Sequence, residues 1–279
     1  MDGILLVNKP SGITSHKLVE KVRRIINNPK VGHTGTLDPL ADGLMLLTVG
    51  KATKILPYIV SHNKEYVAVL KLGYSTDTLD VTGEIVNEKE LVPVNREQVL
   101  SVLNGFLGPQ KQLPPMYSAK KIDGRKLYEY ARSGKEVERK PSDIKINEIE
   151  LLDMKDDEIT FRVACSSGTY VRVLCEDIAR ALDNEGCMKR LTRTAIDRYR
   201  VTESCTLEDI QNGNYKTVSI YDILSDYPYV EMEDVSDVRN GKPLKLNNRE
   251  EIVFITHEGE VLAAYEKDGE IYRCKRGLW

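Results

Sequence analysis

Asp38 stands where a carboxylate could do chemistry. It lies in GHTGTLDPLADG (32–43), a stretch with three glycines, a proline and short polar residues. An Asp-Pro step is commonly a turn device whose carboxylate bonds nearby backbone N–H groups. Gly32, Gly35 and Gly43 are more glycines than such a turn needs, and they allow close backbone approach. A carboxylate held there could act as a nucleophile or stabilise positive charge at a sugar carbon. Arg172 is the second candidate. It falls in the first turn of a helix expected after SSGT (166–169), where the helix dipole disfavours a cation by a few tenths of a kcal/mol. A carboxylate brought to that spot would be favoured by dipole and guanidinium together. The alternative is a solvated arginine whose head points away, and spacing alone does not say whether Asp38 and Arg172 meet.

Tyr66 and Tyr170 could each stack a nucleobase, although with 14 tyrosines in the chain either could equally be core or surface. Leu191 is an apolar residue between Arg190 and Arg193, readable as a buried helix anchor. His16 and His33 make no metal-ligand spacing with any Cys, Asp or Glu, so no metal is expected.

Several elements must position these groups. ILLV (4–7) reads as a short buried strand ended by NKPSG. Thr14 or Ser15 should cap a helix with Leu18, Val19, Val22, Ile25 and Ile26 at helical spacing. The 32–43 segment should be loop, held by the strand LMLLTV (44–49). EYVAVLKLG (65–73) is apolar on both faces and should be a central strand. Residues 108–143 look like an excursion from the core, including a helical stretch RKLYEYARSG ended by Gly134. IKINEIELL (144–152) and EITFRVAC (158–165) should form an antiparallel hairpin. The helix after SSGT carries Val171, Leu174, Cys175, Ile178 and Leu182 as one apolar stripe. Beyond an acidic linker near 224–237, IVFIT, VLAAY and IYRC suggest a small β-meander and a second domain.

The net charge of −3 says nothing for nucleic acid. The local balance says more: residues 1–60 carry eight Lys/Arg against four Asp/Glu, 110–145 ten against five, and 189–200 five against one. A polyanion responds to the local field, so these segments could line one groove, with Arg190 and Arg193 on phosphate. Otherwise they are scattered solvated cations, the two arginines on a helix. The five cysteines contain no CxxC pair, which argues against a disulfide framework or zinc site and fits a reducing, cytoplasmic setting. The start lacks a signal-peptide pattern, and no apolar run approaches the roughly 18 residues of a membrane span.

KPSGITS (9–15), GHTGTLDPLADG, the Tyr66 strand, SSGTYVR (166–172) and KRLTRT (189–194), in that order, resemble the TruB-type tRNA pseudouridine synthases. PPMYSAKKIDGRKLYEYARSG (114–134) is similar to that family's insertion, and the likeness spans roughly residues 2–200. The resemblance implies a mixed α/β (α+β) catalytic domain around a central antiparallel sheet, over 1–228 with an RNA-binding insertion at 108–143. It implies a short PUA-like β domain at 229–279. It implies a uridine of the tRNA T-loop (position 55) as substrate, Asp38 as nucleophile, Tyr66 against the flipped uracil, and Arg172 as partner of Asp38. His33, Tyr170 and Leu191 would line the substrate site, and Lys9 would support the loops. Isomerisation needs no cofactor, so none is expected, and the partner would be the T-arm of tRNA, met by a monomer. Two rivals stand against this: a nucleoside or glycosidic hydrolase, and a non-catalytic RNA-binding module or tRNA-folding chaperone.

Overall fold

The computed structural model describes residues 1–59 and 63–279. Its frame is a ten-stranded sheet with Asn63–Leu72 near the middle, paired antiparallel with Glu158–Ser166 on one side and Gly186–Ile196 on the other. Beyond Glu158–Ser166 come Ser142–Lys155 and then Gly108–Gln112. Beyond Gly186–Ile196 come Asp42–Val49, Gly3–Lys9 and Thr217–Val218. Pairing along this path is antiparallel except between Gly186–Ile196 and Asp42–Val49, where a short parallel contact sets Thr192 beside Asp42 and Arg193 beside Gly43. The expected mixed α/β fold around a central, largely antiparallel sheet is therefore what the chain adopts.

The uninterrupted apolar runs have a simple cause. Side chains alternate across a strand, and in Gly3–Lys9 and Asp42–Val49 both faces are covered. Leu5, Val7, Met45 and Leu47 enter the main core, whereas Ile4, Leu6, Leu44 and Leu46 enter a second core with Phe254, Val261, Ala264 and Leu278. That second core is closed by the C-terminal sheet, in which Ile252–His257, Glu260–Asp268 and Ile271–Gly277 form the expected meander. Tyr229–Glu231, inside the acidic linker, adds a parallel strand to it.

Two helices flank the site. In Ser15–Ile25 the Thr14 side chain accepts from Lys17 N at 3.0 Å, so Thr14 is the cap. Ser15 instead bonds both backbone groups of Leu37, at 2.8 and 2.9 Å. In Val171–Ala181 the apolar stripe faces the sheet, all five expected members being buried.

Four local expectations differ from the structure. Val31–His33 is a strand paired with the end of Asp42–Val49, so the loop begins after His33. Gly108–Gln112 belongs to the main sheet, because its register with Ser142–Lys155 satisfies backbone groups that an excursion would leave to water. Within the insertion, Lys121–Ile122 and Arg125–Lys126 pair as a tiny hairpin, and the helix is only Leu127–Arg132. Residues 189–196 are strand, not helix: Leu191 and Arg193 are buried and Thr192 is not, a period of two.

Candidate active site

The carboxylate of Asp38 meets the guanidinium of Arg172 across 134 positions of sequence, and the contact is two-pronged. Arg172 Nε lies 2.9 Å from Oδ2, and the Nη2 group donates to Oδ1 at 3.3 Å. Of the two readings of Arg172, a solvated head pointing away or a partner of Asp38, the geometry is that of the second. Arg172 is itself buried, with only 5% of its side chain exposed against 36% for Asp38. It also donates to Thr78 O and Tyr117 O, both at 2.8 Å, and lies 3.9 Å from the buried carboxylate of Asp80. An arginine held by this many acceptors has one orientation, and the planar fork fixes the carboxylate it grips. Burial pushes the Asp38 pKa up, Arg172 opposes that, and Asp80 adds to it.

The loop that carries Asp38 is tied down on its far side. Lys9 is fully buried, and its ammonium donates to Pro10 O at 3.0 Å, Ile13 O at 2.8 Å and Pro39 O at 3.4 Å. Gly12 N donates to Pro39 O at 2.8 Å, and Ser11 Oγ to Leu40 O at 2.6 Å. Burial lowers the Lys9 pKa to about 8 while Asp42 and Asp38 counter it, so Lys9 remains a cation at neutral pH. The helix start that carries Arg172 is fixed in a different way. No side chain caps it; Gln112 from the sheet edge accepts from Tyr170 N at 2.8 Å and donates to Tyr170 O at 3.1 Å.

Between these elements lies a cavity of about 200 Å³ lined by Asp38, Tyr66, Tyr170, Arg172 and Leu191 among others. That is below the roughly 300–1,000 Å³ of pockets for drug-sized ligands, a size that suits a single ring. Five of the seven residues singled out from the sequence therefore converge. Lys9 and His33 do not line the cavity: Lys9 braces the loop from behind, and His33 sits on the adjoining Val31–His33 strand. Burial, and secondarily the charge of Arg193, lower the His33 pKa. Burial likewise pushes the Tyr66 phenol up, with Arg193 opposing.

Sequence reasoning missed Lys64, Ser118, Asp80 and the role of Arg193. Lys64 was within reach, being two residues before Tyr66 on the same strand and so on the same face. The sequence suggests Arg193 as a phosphate contact, but it is 1% exposed and donates to Leu44 O at 2.7 Å and Thr36 O at 3.3 Å. It clamps both flanks of the Asp38 loop and cannot reach an external phosphate. Ser118, from the insertion, could not have been located without the fold.

Residues 23–171 match the model of the TruB family pseudouridylate synthase N-terminal domain. A tRNA pseudouridine synthase B of Mesoplasma florum is 39% identical over 99% of this chain and 97% of its own length. One from Clostridium kluyveri is 42% identical over 88% of this chain and 86% of its own. The chain belongs to the TruB family. Among solved structures, the Cbf5-Nop10-Gar1 complex contains a chain that superposes with a TM-score of 0.73 over 99% of this one and 85% of its own length, at 23% identity. That likeness speaks for the shared fold alone, PUA-like C-terminal sheet included. Among the described residues no helix is long and apolar enough to cross a membrane.

Proposed function

We propose that this TruB-family protein isomerises a uridine of tRNA to pseudouridine, at the T-loop position numbered 55, with Asp38 as nucleophile. The observation that carries the reading is the bidentate Arg172–Asp38 pair at the wall of a cavity with room for one nucleobase. The target base must leave its stack, at a cost of a few kcal/mol, which contacts from Tyr66, Tyr170 and Leu191 offset. His33 enters the stack in its place. The N1–C1′ bond breaks, the uracil turns, and C5 joins C1′. The proton lost from C5 is matched by one gained at N1, so atoms and electrons balance without an oxidant or reductant. Arg172 keeps the carboxylate ionised and aimed, Tyr66 packs against the base, and Lys9 holds the loop without reacting.

Residues 1–228 carry the reaction as a monomer, the insertion meets the T-arm, and 229–279 form the PUA-like part. A chaperone role in folding tRNA is compatible with this, since opening and reclosing the T-arm is part of reaching the base. Asp38→Asn tests the reading. It should lower turnover by at least about 10³, roughly 4 kcal/mol of barrier, with tRNA affinity nearly unchanged. More than a tenth of native pseudouridine formation in that variant would overturn the assignment.

A further inference from the structure

Lys64 shares a strand face with Tyr66 and lines the same cavity as Asp38. It is half-buried, and its ammonium donates to Ser167 Oγ at 3.0 Å. Among the described residues it forms no ion pair. The strongest charge acting on it is Arg193, a like charge, and the carboxylate of Asp197 acts last and weakest. Among the described residues Arg193 likewise forms no ion pair, its guanidinium donating to the Leu44 and Thr36 carbonyls. A cation kept half out of water beside another cation lacks the compensation that buried charges ordinarily find. An anion arriving at the cavity would supply it. Next to Lys64, Ser167 and Gly168 are exposed, and Gly35 adds no side chain where a Cβ would lie 3.9 Å from the Lys64 Nζ. The place is thus open to a strand running over the cavity rim, with a hydroxyl already beside the ammonium.

We propose that Lys64 and the Ser167 hydroxyl bind a phosphodiester that flanks the nucleotide held in the cavity. The proposal rests on the reading above that an RNA nucleotide enters there. The ammonium pairs with a non-bridging oxygen and Ser167 donates a second hydrogen bond. Because this phosphate adjoins the flipped nucleotide, the contact fixes how deeply the base is inserted.

The test uses the full chain and full-length tRNA assembled around a single methylphosphonate, placed on the 5′ or the 3′ side of the target uridine. Affinities are measured across a salt series in an Asp38→Asn background, with Lys64, Lys64→Met or Lys64→Arg. Lys64→Met should weaken binding about fivefold to tenfold and make the slope of log K against log salt shallower by about 0.7–0.9, one phosphate's worth. Lys64→Arg should keep most of the affinity and the slope. One of the two methylphosphonates should weaken the Lys64 protein to the level of Lys64→Met and leave Lys64→Met unaffected. An unchanged slope in Lys64→Met, or methylphosphonates that act equally on both proteins, would overturn the proposal. The reading of the active site fails separately, through turnover by the Asp38→Asn protein that retains Lys64.

Discussion

At Asp38 the surroundings pull in opposite directions. Burial, the largest influence, raises its pKa above the ordinary 3.8, while Arg172 draws it down and Asp80 raises it. If the ionised carboxylate is the reactive form, activity is complete above the raised pKa and is lost as pH falls through it. The acid limb of a single-turnover profile should therefore lie above the ordinary aspartate value. Arg172→Lys removes the planar fork, leaving a point charge that cannot grip both oxygens. The limb should move to higher pH and the plateau should fall by about tenfold or more, on the order of 1.4 kcal/mol. Superimposable profiles for native and Arg172→Lys proteins would remove Arg172 from its role. The second residue of a helix is a poor place for a cation by a few tenths of a kcal/mol; the carboxylate it holds there offsets that cost.

Among the elements, the parallel contact between Asp42–Val49 and Gly186–Ile196 brings the Asp38 loop to the strand bearing Leu191. Gly43 makes it possible. Its φ is +108°, and a Cβ there would fall 2.3 Å from Arg193 O and 2.6 Å from Arg193 N. Backbone atoms within a sheet cannot yield as a side-chain tip does. Gly43→Ala should therefore cost about 1–3 kcal/mol or more from strain and displace Arg193 from Thr36 O and Leu44 O. Denaturant unfolding measures the first effect and turnover at saturating tRNA the second. A stability change within about 0.5 kcal/mol, ordinary for an inert surface substitution, would mean that the strands can part without penalty.

For the molecule as a whole, the C-terminal sheet is not an independent appendage. Phe254, Val261, Ala264 and Leu278 share one core with Ile4, Leu6, Leu44 and Leu46, and Tyr58 and Tyr227 meet the Phe254 ring edge-on, with centroids 5.3 and 5.2 Å away. Unfolding one sheet would expose the other's apolar face. The chain should unfold in a single transition, and Phe254→Ala should destabilise all of it by about 3–5 kcal/mol. Calorimetry together with hydrogen exchange near Asp38 checks this. Two separate transitions, with only one moved by the substitution, would show that the parts fold apart.

What neighbours in the chain can encode was legible without the fold. The apolar runs of Gly3–Lys9 and Asp42–Val49, the Thr14 cap, the stripe from Val171 to Leu182 and the C-terminal meander all follow from period and turn chemistry. The ordered motifs around Asp38, Tyr66 and Arg172 carry the family resemblance in the sequence itself. Short basic stretches were less informative, because KRLTRT satisfies a helical or an extended reading until a partner strand is known. That is why Arg193 looked like a phosphate ligand, whereas sheet register turned it inward to clamp Thr36 and Leu44. Only the tertiary structure decided that Asp38 lies against Arg172, that Ser118 reaches the cavity, and that Lys64 lines the same cavity with the Ser167 hydroxyl as its hydrogen-bond partner. Contacts between residues far apart in sequence depend on which strands pair and which faces are covered, and the whole chain sets those together.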